Sequence, residues 1–273
     1  MSSEPLRLAA AQATTLATLY GRARDAMTAR PILADRLALA AWRKLEPRAP
    51  RTGMRPGDVI GVALRTKYFD DRARDFLTAH PDAVVLHLAC GLDARAHRID
   101  PPDTVAWYDL DLPEVLALRE ELYPPRPGCT SLAADLSGPG LDRLTGLPDD
   151  RPVLVIAEGL TMYLDRTAGE ELLRTITGHF PQGTIIFDAM SHWAIARQRA
   201  SGIVRHSRSR LHWGIDHPAE VISAVPALSC RGVVSPLGVP DVARLGLPLR
   251  ALLTVLRHAP RVGTAAMLYR FVF

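Results

Sequence analysis

The chain has 273 residues, 48% of them apolar and 23% charged, a composition that folds as a globule and buries roughly 70–75% of its extended surface without disulfide staples. Its three cysteines, Cys90, Cys129 and Cys230, are widely spaced and form no CxxC, which argues against a disulfide framework or a zinc site and suits a reducing cytoplasm. The formal charge of +4 comes from arginine, with Lys44 and Lys67 the only lysines; acids are interspersed along most of the chain, so the charge reads as a compositional habit rather than a nucleic-acid surface.

The first residues include Glu4 and Arg7 and lack a compact apolar run, so no leader is expected. No stretch approaches about 18 uninterrupted apolar residues, so no membrane span is expected either. Residues 4–46 predict helix, with apolar positions recurring at three and four (Leu16, Leu19, Tyr20, then Ile32, Leu33, Leu37, Ala40, Ala41). Prolines and glycines from Pro47 to Gly57 break the pattern, and a second helix is predicted near 58–79. From Ala83 short apolar runs recur at 83–88, 104–108, 130–133, 152–157 and 184–187, separated by helix-like segments at 112–123, 141–144 and 166–179. That alternation predicts a parallel sheet with helices on both faces, and the continuous apolar runs predict strands buried on both sides. After Met190 the rhythm loosens into an Arg-, His- and Ser-rich stretch to 217, a short helix near 218–225, a strand at 229–234, an apolar helix near 247–257 and a last strand at 265–273. The chain reads as one doubly wound α/β domain: a helical cap (1–80), a ligand-binding core (81–190) and a late segment (191–273) that forms a substrate lid and the final strands.

In such a sheet the turn after the first strand meets the ligand at the carboxyl edge. Here that turn is Ala89-Cys90-Gly91-Leu92-Asp93-Ala94-Arg95. Gly91 permits close backbone approach, but a full GxGxxG is absent, which weakens a dinucleotide reading. Asp109 and Asp111 follow Gly91 by 18 and 20 residues, the spacing at which an acid accepts from a ribose diol. One of the pair is read as the ribose ligand, and the other as a helix cap or a supporting group before Pro113. Asp135-Leu136 ends the third strand, where a carboxylate and the next N–H can read an adenine edge, or simply start a turn. Glu158 ends the fourth; an acid there is costly unless paired, with a cofactor ammonium or Arg95 as the possible partner.

Five motifs, Arg65-Thr66-Lys67-Tyr68-Phe69-Asp70-Asp71, Cys90-Gly91-Leu92-Asp93-Ala94-Arg95, Asp109-Leu110-Asp111-Leu112-Pro113, Ala134-Asp135-Leu136 and Ala157-Glu158-Gly159-Leu160-Thr161-Met162-Tyr163-Leu164, occur in this order. Together with His212-Trp213-Gly214-Ile215-Asp216-His217-Pro218 they resemble the leucine carboxyl methyltransferase family, in particular its bacterial branch of tetracenomycin-type polyketide O-methyltransferases. The resemblance spans about residues 15–270. It implies a class I, Rossmann-like fold with a seven-stranded, mostly parallel sheet, and S-adenosylmethionine (SAM) as cofactor, leaving as S-adenosylhomocysteine (SAH). It further implies that Arg65 clamps the methionine carboxylate, that Cys90 and Gly91 face the methionine, that Asp111 with Asp109 beside it holds the ribose, that Asp135 and the Leu136 backbone hold the adenine, and that Glu158 lies near the ammonium. Ala89 stands where many relatives have Gly, Ala94 where Thr is usual and Asp109 where Glu is usual. Arg22, followed by Ala23, resembles an Arg-Ala pair on the family's cap.

The expected acceptor is a small molecule, acidic or phenolic and polyketide-like, methylated on oxygen, with Tyr163 either lining the pocket to position it or packed as a structural side chain. A carboxylate needs no base, whereas a phenol does. The segment 197–210 holds Arg197, Arg199, Arg205, His206, Arg208 and Arg210 and no acid; it reads as a solvated lid or as an anion-attracting rim, with nucleic-acid binding disfavoured by the lack of interleaved aromatics. Two other functions compete: a SAM-binding partner subunit without activity, and a nicotinamide-dependent oxidoreductase on a similar sheet.

Overall fold

A computed structural model describes residues 10–273 apart from 48, 139 and 208. The run Val84–Leu88 is buried along its whole length and forms β1. Its predecessors are three helices, α1 (Ala10–Ala26), α2 (Arg36–Leu45) and α3 (Pro56–Ala79). The helix expected over 4–46 is therefore two helices with a break, and residues 4–9 lie outside the described residues. The cause of the break is Asp25, whose buried carboxylate accepts from the N–H groups of Ile32, Leu33 and Ala34 at 2.9, 2.9 and 3.1 Å. A side chain that binds three consecutive N–H groups folds the chain into a turn and takes those donors from any helix.

After β1 come α4 (Arg95–Ile99), β2 (Ala106–Asp111), α5 (Pro113–Leu122), β3 (Cys129–Ala133), α6 (Asp142–Thr145), β4 (Val153–Ala157), α7 (Arg166–His179) and β5 (Gly183–Met190). The late segment adds the short helices α8 (His192–Ala196) and α9 (Gly202–Ser207), then α10 (Pro218–Ala224), β6 (Ser229–Val234), α11 (Leu247–His258) and β7 (Ala266–Val272). All seven strands form one sheet in the order β3-β2-β1-β4-β5-β7-β6. The first five are parallel, and β7 runs antiparallel between β5 and β6. Strand order reverses between β1 and β4, so a crevice opens at their carboxyl ends.

Burial follows from strand position. Central β1 and β4 are wholly buried, as their apolar runs require. Strand β3, expected to be buried on both sides, stands at the sheet edge with Thr130, Ser131 and Ala133 uncovered or half-covered; its polar residues suit an edge. One face of the sheet packs Leu86, Leu88, Val155 and Phe187 against α7 and Trp213, and the other packs Val85, Trp107 and Ile156 against Phe69 and Leu77 of α3. A third cluster joins Leu16, Leu19 and Trp42 of the cap to Leu92 and Ala94 after β1 and to Leu122 and Tyr123. Each large cap side chain contributes about 1.5–3 kcal/mol by leaving water, and together they fasten α1 across the crevice. Among the described residues no helix is long and apolar enough to cross a membrane.

Candidate active site

The loop after β1 is shaped for close approach. Ala89 and Gly91 both lie in the left-handed region, at φ +47° and +53°. A Cβ on Gly91 would stand 3.1 Å from Thr15 Cγ2, so the missing side chain is what lets α1 lie directly over the loop. Arg119 of α5 holds the loop from behind, donating to the carbonyls of Asp93 (2.6 Å) and Gly91 (3.3 Å).

Two connected lobes open at the sheet's carboxyl edge. The first, about 480 Å³, includes Arg65, Cys90, Gly91, Glu158 and Tyr163 in its wall; the second, about 370 Å³, includes Asp111, Asp135, Leu136 and Tyr163. Thr14, Thr15, Ala89, Gly159 and Tyr163 border both. Eight of the nine residues singled out from the sequence therefore face one two-lobed cleft. The ninth, Asp109, does not. It lines a separate hollow between α4, α5 and β3, and its carboxylate accepts from His87 Nδ1 (2.9 Å), Trp107 Nε1 (3.0 Å) and Arg119 Nη2 (2.6 Å). This corrects the expectation of Asp109 beside the ribose: its acceptor sites are filled by structural donors, and its role is to anchor Arg119 under the loop.

Asp111 has both oxygens turned to the crevice backbone, accepting from Gly91 N–H (2.6 Å) and Leu112 N–H (2.8 Å). Burial pushes its carboxyl up, and those two N–H groups pull it back. A carboxylate accepts at about four positions, so capacity remains for a diol. Asp135 is exposed, and its Oδ1 accepts from Ser137 N–H and Oγ–H at 2.9 and 2.6 Å. Cys90 is buried and its thiol is pushed well up by that burial, so it stays protonated and serves as wall.

Glu158 sits at the centre of the first lobe's floor. It accepts from Arg65 Nε (2.9 Å) and Thr66 Oγ1 (2.8 Å) on one oxygen and from Arg95 on the other. Burial alone would raise its carboxyl, but the guanidinium groups of Arg65 and Arg95 outweigh that and hold it at about 2. Arg95 also meets Asp70 and Asp93, Arg98 binds Asp35, Asp70 and Asp93, and Arg22 stands 3.5 Å from Asp35. A residue not singled out from the sequence, Asp188 near the carboxyl end of β5, accepts from Arg65 Nη1 (2.7 Å) and from Gly159 N–H (2.6 Å). Burial pushes its carboxyl up. Its position carried the same signal as Glu158, an acid near the carboxyl end of a buried strand. Five carboxylates (Asp35, Asp70, Asp93, Glu158, Asp188) thus meet four guanidinium groups (Arg22, Arg65, Arg95, Arg98), and this buried cluster is formally one negative charge in excess.

That sign is informative because the chain as a whole is positive. A net-negative floor suits a ligand with ammonium and sulfonium charges, and it opposes the pyrophosphate of a nicotinamide dinucleotide. Gly159, at φ +70°, keeps the wall bare where the two lobes meet, and Gly91 does so in the first lobe. Among the described residues no group of His, Cys, Asp or Glu is placed to hold a metal ion.

A seven-stranded sheet of this order, with a two-lobed cleft at its carboxyl edge, defines the class of SAM-dependent methyltransferases. A crystallised Thermobifida fusca YX protein assigned to the methyltransferases superposes on 92% of the chain and 93% of its own length with TM-score 0.57 at 16% identity, a likeness of fold. The leucine carboxyl methyltransferase family matches residues 9–177. The tetracenomycin polyketide synthesis O-methyltransferase TcmP of Streptomyces glaucescens is 39% identical over 270 residues, 99% of each chain. The S-adenosyl-L-methionine-dependent methyltransferase dpfgK of Gibberella zeae is 33% identical over 88% of this chain and 86% of its own. The chain belongs to the leucine carboxyl methyltransferase family and is a SAM-dependent methyltransferase.

Proposed function

We propose that the enzyme methylates an oxygen of a small aromatic acid or acidic phenol, with adenosine in the second lobe, and methionine and acceptor in the first. SAM supplies a methyl group already activated on sulfur, so the protein's task is alignment and exclusion of water. In this reading Arg65 binds the methionine carboxylate, and Glu158 with Asp188 faces the ammonium. Asp111 accepts from the ribose hydroxyls, and Asp135 and the Leu136 N–H read the adenine edge. Tyr163 stands at the junction of the lobes, where burial pushes its phenol up while hydrogen bonds with Thr14 and Ser209 pull it back. A phenol kept protonated donates a hydrogen bond and removes no proton, so Tyr163 orients the acceptor.

The observation that carries the acceptor reading is the makeup of the far end of the first lobe. Val62, Met162, Met190, Trp193, Ile203 and Leu211 make it apolar. The one histidine in its wall, His87, is buried; burial lowers its pKa, its Nδ1 is bound to Asp109, and its Nε2 faces Arg95 at 3.4 Å. An imidazole so placed is unavailable as a general base. An acceptor that arrives ionised needs none. The name of the Streptomyces relative, a polyketide synthesis O-methyltransferase, supports methylation on oxygen of a polyketide-like acceptor.

The test is a methylation screen with methyl-labelled SAM over aryl carboxylic acids, phenols and amines, read by mass spectrometry. Carboxylic acids should be the best acceptors, with kcat flat from about pH 6 to 9, above the range in which an ordinary carboxylate titrates. Preferential methylation of amines, or a limb near pH 6–7 that His87→Gln abolishes, would overturn the reading.

A further inference from the structure

We infer that Arg197, stacked on Trp193, is the specificity-determining cation of the acceptor lobe and recognises a carboxylate on an aromatic acceptor. The inference rests on the acceptor reading above and adds to it a residue and a ligand group. Three arginines border the first lobe. Arg65 pairs with Glu158 and Asp188 and is assigned above to the methionine carboxylate, and Arg22 lies between Asp35 and Asp93 and donates to the Leu92 carbonyl. The third, Arg197, has no ion pair or hydrogen bond from its side chain to any described residue. Its guanidinium carbon instead lies 4.8 Å from the centre of the Trp193 ring.

Stacking on an aromatic face holds a planar guanidinium with little further loss of freedom and leaves its N–H edge available. That edge matches a carboxylate in bidentate fashion. The backbone around it is pinned as well. Gln198 donates from Nε2 to the Leu211 carbonyl (3.0 Å) and accepts from Leu211 N–H (2.8 Å), which ties the segment carrying Arg197 to Leu211, another residue of the lobe's wall. Arg197, Arg199, Arg205 and Arg210 of the basic segment are all exposed, but of these four Arg197 alone borders the lobe; Arg208 lies outside the described residues. Among the described residues, one guanidinium of the set borders the cleft, beside Trp193 in its wall. An aromatic ring in van der Waals contact with Met162 and Met190, carrying an anionic substituent at the Arg197 edge, satisfies both halves of this wall.

The experiment uses the full chain saturated with SAH, saturation being verified by its own calorimetric heat. Two probes are titrated, 1-hydroxy-2-naphthoate and 1-naphthol, which differ by one carboxylate. The naphthoate should bind at least tenfold tighter than the naphthol. Arg197→Gln should remove that preference by weakening the naphthoate alone, Arg197→Lys should restore part of it, and Arg199→Gln should leave it intact, with SAH heat unchanged throughout. A preference that survives Arg197→Gln, or no preference in the unsubstituted protein, overturns the assignment while leaving the cofactor reading standing. Absence of SAH heat in the unsubstituted protein overturns both.

Discussion

At the scale of single residues the cleft is governed by paired charge, and Glu158 is its test. Replacing it by Gln leaves Arg65 and Arg95 buried with one carboxylate fewer, a change that costs about 3–5 kcal/mol in comparable buried pairs. It also removes the anion proposed to face the ammonium, so SAH affinity should fall by roughly tenfold to a hundredfold, since a charge-assisted hydrogen bond is worth about 1.5–3 kcal/mol. The same residue sets a pH dependence. Its carboxyl titrates near 2 in the fold against 4.5 ordinarily; a depressed folded value means stability that is complete above about pH 4.5 and lost as pH falls through 2. The loss is ~3 kcal/mol. Asp188, pushed up by burial, works in the opposite direction and regains some stability on acidification. Urea melts of Glu158→Gln and the unsubstituted protein should therefore differ most at neutral pH, with the gap narrowing between pH 4.5 and 2. A gap that is constant with pH would show that Glu158 is not held ionised by its arginines. In the sequence, Gly91 and the acids at the ends of apolar strand runs stood out by position, with a turn or a helix cap as the alternative for several of them, whereas Arg65 was singled out by the family resemblance. What spacing did not decide was which of Asp109 and Asp111 meets the ligand. That depends on Arg119, ten residues further on, which claims Asp109.

Elements divide by where their order comes from. Strands β1, β4 and β5 and helices α3 and α7 were legible because their own apolar pattern specifies them. The break between α1 and α2 and the helices α8 and α9 were not, because each is set by contacts distant in sequence. For α9 the contact is with the segment before α3. A Cβ on Gly202 would collide with the Gly53 carbonyl, and Gly53 itself is at φ +70°. Backbone-to-backbone packing of two glycines holds the lid on the cap, and Val204 of α9 packs with Met162 and Leu211 beneath it. Gly202→Ala should push α9 outward, with Ile203 and Val204 leaving the acceptor wall. The expected outcome is an acceptor KM raised by about tenfold, SAM KM within twofold and faster proteolysis within 197–210. Equal rises in both KM values would mean that α9 supports the cofactor lobe as well.

Across the whole molecule the sheet supplies the floor of the cleft, and α1 and the segment after β5 supply much of the rest of its wall; the pattern marked the cap as helical but not its place over the cleft. The key side chains of that wall, Thr14 and Thr15 of α1, belong to both lobes, yet threonines on a helix carry no signal of a ligand in sequence. Their place predicts how binding energy is distributed. The core strands exchange their amide hydrogens only through global unfolding, whereas a helix packed outside the sheet opens locally at lower cost. Saturating SAH at about 100 times its Kd stabilises the fold by about 2.7 kcal/mol, and that increment alone reaches the strands. Contacts with that wall add to it where local opening would break them. In hydrogen exchange, SAH should therefore slow amides of α1 and of residues 198–211 by a larger factor than the opening free energy of the bare protein would set, while α11, none of whose residues lines the cleft, exchanges by local opening unchanged. Protection of the floor with α1 unaffected would mean that the cofactor enters and sits without the cap, and the placement of Thr14 and Thr15 against both lobes would then have no part in binding.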